Sequence, residues 1–163
     1  MRRIILFASG TLLVLAVCVA VIFGAVRDSD PGKETFTLWQ LPSVADDHGN
    51  SYIIRTPHGR VVAIDGGKGA ETDYLRGFLA ALGDEVDVWI VTHPHYDHVE
   101  AMTNLLRRPM DLRVHEVRES RFTPGMIASE PEYSHWAEEY YAALDAAQGV
   151  KVTECHTLSL IHI

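Results

Sequence analysis

Alternation marks the first extended stretch of the chain. Thr35, Thr37 and Trp39 alternate with Phe36, Leu38 and Gln40, the period of two that sends successive side chains to opposite faces of a strand. β-Branched runs at residues 51–56 and 60–64, joined by Pro57-His58-Gly59, predict a hairpin with His58 as a turn residue. Asp65-Gly66-Gly67 ends the third strand with residues that tolerate positive φ. The period then changes. Leu75, Phe78, Leu79 and Leu82 recur at i, i+3, i+4 and i+7, which predicts an amphipathic helix over residues 72–82 closed by Gly83. Residues 86–91 are almost continuously apolar, as expected of a strand covered on both faces. Val99, Met102, Leu105 and Leu106 mark a second helical face that stops at Pro109. Residues 112–117 alternate as a strand with His115 on its polar side. Ser129, followed by Pro131 and Glu132, predicts a capped helix start, with Trp136, Tyr140 and Leu144 as its packed stripe and His135 on its surface. Residues 150–155 read as a last strand.

The amino-terminal pattern is of another kind. Residues 4–26 carry no charge, and as a helix rising ~1.5 Å per residue they would span roughly 35 Å, enough for a bilayer core. Arg2 and Arg3 precede this run, whereas Arg27 is followed by Asp28 and Asp30, so the positive-inside bias predicts a single-pass anchor with its amino end cytoplasmic and its domain outside. A cleaved secretory signal would need a shorter apolar region and a small-x-small site, and Gly24-Ala25-Val26-Arg27 matches it poorly. Leu15-Ala16-Val17-Cys18 resembles a lipoprotein box but places bulky Val17 where a small residue belongs. Residues 28–34, with Asp30-Pro31-Gly32, read as a polar linker.

With 163 residues and 47% hydrophobic content, the chain has room for one globular domain beyond the anchor. The net charge of −8 offers no basic footprint for nucleic acid, although metal ions can offset local charge at a phosphodiester site. Only Cys18 and Cys155 occur, and the first lies in the apolar run, so no disulfide is expected within the domain. No internal repeat, phosphate-cradling glycine loop, Ser-His-Asp arrangement or Cys-x-x-Cys pair is present.

The chemistry is concentrated in Thr92-His93-Pro94-His95-Tyr96-Asp97-His98, directly after the apolar strand. Neutral imidazole and carboxylate are the ligands of a divalent transition metal such as zinc, and two ions about 3.5–4 Å apart activate water between them. His93 and His95 stand two apart, so in extended backbone both point to one side and can share an ion. Asp97 and His98 fall where the chain turns into a helix, placed to serve a second ion. The competing reading is a cluster of solvated loop histidines.

This motif, with Gly49-Asn50-Ser51-Tyr52-Ile53-Ile54-Arg55-Thr56 and Gly59-Arg60-Val61-Val62-Ala63-Ile64-Asp65-Gly66-Gly67 before it, resembles the metallo-β-lactamase superfamily over about residues 36–109. It is similar in particular to the hydrolase domain attached to bacterial DNA-uptake channel proteins. The resemblance implies the first half of an αββα sandwich over residues 35–157, following residues 1–27 as cytoplasmic stub and anchor in a bacterial cell membrane. It implies metal ligation by His93, His95, Asp97 and His98, most simply of two zinc ions, with manganese or iron as alternatives. It implies Asp97 as the group that orients the attacking hydroxide and Asp65 as the buttress of the histidine loop. The substrate class it favours is a phosphodiester, with thioester or lactam hydrolysis as alternatives on the same ligands. A different class of reading is a non-catalytic envelope protein that binds a metal or another ligand. The resemblance also implies a later histidine, an aspartate and a final histidine, none of which can be assigned, and His156 arrives too early to match their order. Residues 158–163 resemble the translated transposon end used in sequencing libraries, which predicts a non-native tail, an artefactual His162 and a natural protein continuing past about Thr157.

Overall fold

Rows of apolar residues in register hold together the six-stranded sheet of the computed structural model, which describes residues 34–44 and 48–155. Its strands follow chain order: β1 (Thr37–Gln40), β2 (Tyr52–Arg55), β3 (Val61–Ile64), β4 (Glu85–Ile90), β5 (Arg113–Glu119) and β6 (Lys151–Glu154). The pairs β1–β2 and β2–β3 are antiparallel, while β3 to β6 run parallel. The connections dictate this. Pro57-His58-Gly59, with Gly59 at φ +81°, turns the chain straight back from β2 into β3. Each later strand is reached through a helical crossover, which returns the chain in the same direction.

Four helices fill those crossovers: α1 (Thr72–Ala81), α2 (Tyr96–Arg107), α3 (Pro124–Ser129) and α4 (Ser134–Ala146). The register places Ile53, Ala63, Trp89 and Val117 side by side across β2 to β5, and all four are fully buried. They share one core with Leu75 and Leu79 of α1, Val99, Met102 and Leu105 of α2, and Tyr140 and Leu144 of α4. Burial of a Leu- or Val-sized side chain contributes about 1.5–3 kcal/mol, so this row and the helical stripes facing it account for the packing of the layers. The alternate residues Ile54, Val62, Val88, Ile64 and Ile90 point to the other face and are only half-buried. A mixed sheet with helices packed on one face agrees with a partial αββα sandwich.

The predicted elements appear within a residue or two of their expected bounds, with one exception. The helix predicted to start at Ser129 does not start there: Ser129 is the last residue of α3, and its hydroxyl donates back to the Met126 carbonyl at 2.7 Å. Pro131 lacks an N–H and disfavours helical backbone in the residue before it, and Glu130 accordingly sits at φ −128°, ψ 62°. The chain restarts at Ser134, and Thr123 caps the short first helix by accepting from the Met126 N–H. Trp136, Tyr140 and Leu144 do lie on α4, with Tyr140 and Leu144 buried. His115 is on the polar surface, where its Nε2 lies 2.8 Å from Glu85 Oε1.

The anchor expected over residues 4–26, Cys18, most of the linker at residues 28–34, His156 and the tail at residues 158–163 lie outside the described residues. Among the described residues no helix is long and apolar enough to cross a membrane. Cys155 carries no disulfide.

Candidate metal centre

The carboxyl ends of β3 and β4 lie side by side, and everything of chemical interest is built on that edge. Asp65 follows β3 and Thr92 follows β4 by two residues. Asp65 adopts φ +56°, a conformation an aspartate tolerates better than most side chains. Its backbone N–H donates to the Ile90 carbonyl, and its own carbonyl accepts from the buried Trp89 indole at 3.0 Å. The carboxylate is thereby aimed across the strand ends. Oδ1 accepts the Thr92 N–H at 2.9 Å, and Oδ2 lies 2.8 Å from both the Thr92 hydroxyl and His98 Nδ1. Asp65, expected as the buttress of the histidine loop, thus bonds that loop at Thr92 and His98.

Glycine is required beside it. A Cβ on Gly66 would stand 2.9 Å from the backbone nitrogen of Met102, so only glycine lets this strand end approach α2 so closely. Gly67, at φ +80°, faces the buried Glu71 carboxylate, which a Cβ would strike.

The loop itself runs extended through His95 (φ −80°, ψ 154°), and α2 begins at Tyr96. Asp97 therefore occupies the first helical turn, where the helix dipole favours negative charge. The structure brings His93, His95 and His98 into one cluster, with ring centroids 4.5 Å apart and edge-on for His93–His95 and 3.9 Å apart and tilted for His93–His98. Burial pushes the His93 imidazole below its ordinary pKa, and His98 and His95 push the same way against the opposing pull of Asp65 and Asp97. Both effects favour the neutral imidazole, the form that offers a lone pair to a metal.

Each of the other two imidazoles is held by a carboxylate at one nitrogen. His98 donates from Nδ1 to Asp65, which leaves its Nε2 facing Asp97 Oδ2 at 3.4 Å and accepting from the Asn50 amide at 3.1 Å. The same amide donates to Asp97 Oδ2 at 3.2 Å, and the Asn50 backbone N–H donates to the Asp97 carbonyl. His95 donates from Nε2 to Glu130 at 2.6 Å, and its ring stacks on Tyr133 at 4.8 Å. His48 Nε2 stands 3.5 Å from Asp97 Oδ2. A hollow of about 460 Å³ lies beside them, bounded by His48, His93, His95, Tyr96, Asp97, Glu130 and Tyr133. A smaller cavity of about 260 Å³ lies at the opposite ends of the strands, between Trp89, Leu105, Leu112 and Val150, with a mostly apolar lining.

All five residues expected from the sequence meet here. The donor chemistry, neutral imidazole with a buried carboxylate and hydrogen-bonded outer partners, suits a divalent metal. Among the described residues, however, no three His, Cys, Asp or Glu side chains converge into a finished ion cage. Asn50, His48, Glu130 and Tyr133 were not identified as site residues from the sequence. Asn50 had a signal, since it lies in the Gly49–Thr56 stretch that carries the resemblance; the other three had none.

Residues 44–163 match the family model described as the metallo-beta-lactamase superfamily. Similar solved structures include a hydrolase, AbOPH, in the beta-lactamase superfamily, at 19% identity over 64% of this chain and 42% of that one, with a TM-score of 0.44. The Rm3 metallo-beta-lactamase is similar at 23% identity over 56% of this chain and 34% of that one, with a TM-score of 0.37. A diphosphatase from the PhnP family is similar at 16% identity over 76% of this chain and 51% of that one, with a TM-score of 0.42. The chain thus spans between a third and about half of the length of these structures. No curated protein is similar enough to count as a match.

Proposed function

Because the chain belongs to the metallo-β-lactamase superfamily, whose members are generally hydrolases and commonly bind divalent metals, we propose that it is a metal-dependent hydrolase anchored in the membrane by residues 4–26, with its domain outside the cell. In this reading His93 and His95 hold one zinc ion, and Asp97 and His98 hold a second. The observation that carries it is the fixed orientation of His98: Asp65 accepts a hydrogen bond from Nδ1–H, so the Nε2 lone pair faces the Asn50 amide and Asp97 rather than solvent. A solvated loop histidine has no reason to have one nitrogen fixed by a buried carboxylate and the other turned toward a second.

When bound, zinc supplies Lewis acidity, which acidifies water and polarises a scissile oxygen. The residues of the chain do the rest. Asp97 Oδ2 accepts a hydrogen bond from the attacking water and orients it, and the Asn50 amide holds that carboxylate in place. Asp65 keeps His98 in a single tautomer. His95 and Tyr133 form one wall of the hollow that receives the substrate.

The substrate class proposed is a phosphodiester, on the likeness of the motif and its flanking strands to the DNA-uptake hydrolases. Zinc-loaded protein is tested in parallel on a bis-aryl phosphodiester, a thioester and a chromogenic lactam. Hydrolysis of the phosphodiester that falls by two orders of magnitude or more in His95→Ala is expected; unchanged turnover in that variant overturns the assignment. Turnover of the thioester or lactam alone retains the metal hydrolase and replaces the substrate.

A further inference from the structure

The break between α3 and α4 reaches the histidine loop at one point. Glu130 occupies that break, and its carboxylate meets His95 Nε2 at 2.6 Å across 35 residues of sequence. Its backbone is pinned on both sides: the Glu130 N–H donates to the Ile127 carbonyl, and the Glu130 carbonyl accepts from Tyr133 N–H. The His95 ring is also held in place, stacked on Tyr133 with an interplanar angle of 24° and met edge-on by Phe122 at 6.2 Å. Pro94, Ile127 and Ala137 complete this seat. An imidazole held on one face and at one nitrogen has only its other nitrogen to offer.

We propose that Glu130 is a positioning residue for His95: it accepts a hydrogen bond from Nε2–H, fixes the proton there, and thereby leaves Nδ1 as the ligating atom. The chemistry is that of a carboxylate–histidine–metal relay, in which the outer carboxylate sets the tautomer and raises the basicity of the ligand. The assignment makes the two imidazoles opposite in sense. His98 is held at Nδ1 and offers Nε2, while His95 is held at Nε2 and offers Nδ1. The break forced by Pro131 is then part of the site, because an unbroken helix through residues 129–134 could not turn this carboxylate onto the loop. The effect on metal affinity rests on the metal-site reading above; the hydrogen bond itself does not.

Two readouts on the intact protein separate these. In metal-free protein, NMR of the histidine rings should show an exchange-protected, downfield His95 Nε2 proton, retained in Glu130→Gln, whose amide oxygen still accepts, and absent in Glu130→Ala. Chelator competition for zinc should then show affinity lowered severalfold in Glu130→Gln and about tenfold or more in Glu130→Ala. Equal zinc affinity in wild type, Glu130→Gln and Glu130→Ala overturns the proposal, as does a tighter alanine variant, which would mean that the metal takes Nε2 and competes with Glu130. If the alanine variant does not fold, the glutamine variant decides: lower affinity supports the assignment, and unchanged affinity overturns it. His95→Ala guards the underlying reading. Zinc bound equally well by wild type and His95→Ala sinks the metal site while the ring proton still reports on Glu130.

Discussion

Asp65 and Glu130 each hold one imidazole of the same loop, at 2.8 Å and 2.6 Å, yet their side chains are 4% and 43% exposed. The difference in burial separates a floor from a rim. A carboxylate buried like Asp65 carries a desolvation cost of several kcal/mol that only fixed donors offset, and Asp65 has them: the Thr92 amide and hydroxyl, and His98. It also sits between Trp89 and the start of the loop, so the group that orients His98 is also the group that closes β3 against β4. Glu130 keeps much of its hydration. Its pair with His95 adds little to folding and can act on the site alone. The same hydrogen bond thus serves architecture in one place and tuning in the other.

The largest effect should come from the floor. Asp65→Ala leaves the Thr92 N–H and the His98 ring without their acceptor, and denaturant titration should show a loss of about 3 kcal/mol or more; a change below about 1 kcal/mol would erase the distinction between floor and rim. Trp89→Phe keeps most of the packing but deprives the Asp65 carbonyl of its indole donor, and the same titration should register about 1–2 kcal/mol. At the rim, Glu130→Ala should leave the unfolding free energy within about 1 kcal/mol of wild type, the range of an exposed pair. A larger loss would make Glu130 structural as well.

The smallest effect lies away from the site, at the β5–β6 edge. Arg118 first, then Thr153 and Lys151, hold the Glu116 carboxyl down to about 2 from an ordinary 4.5. A lowered carboxyl stabilises the fold fully above its unfolded value, and that contribution disappears as pH falls from about 4.5 toward 2. Glu116→Gln should therefore narrow the gap between melting temperatures measured at pH 6 and pH 3; an identical acid limb would mean that Glu116 is equally acidic when unfolded.

Much of this was readable from the chain because the signals are local. The hairpin at residues 51–64, both long helical faces and the apolar strand before Thr92 depend on side-chain periods that extend only a few residues. The cluster of His93, His95, Asp97 and His98 is likewise contiguous, and the Asp65 role came with the resemblance. The helix start misplaced at Ser129 shows where local reading fails. Ser-x-Pro-Glu carries both a start signal and a stop signal, and the stop prevailed because Pro131 withholds a donor and forces Glu130 out of the helical region.

Family membership, the six strands, the two helices over residues 72–81 and 96–107, and the donor types at the centre were determined by the sequence by itself, since each is written in adjacent residues whose conformational preferences agree. Which nitrogen of His98 and which of His95 meets a carboxylate was decided only by the tertiary structure. Asn50 reaches Asp97 across 47 residues and Glu130 reaches His95 across 35. Hydrogen bonds over such separations leave no period or spacing in the chain; they form where the packing of α4 against α2 and the parallel register of β3 with β4 bring those backbones together.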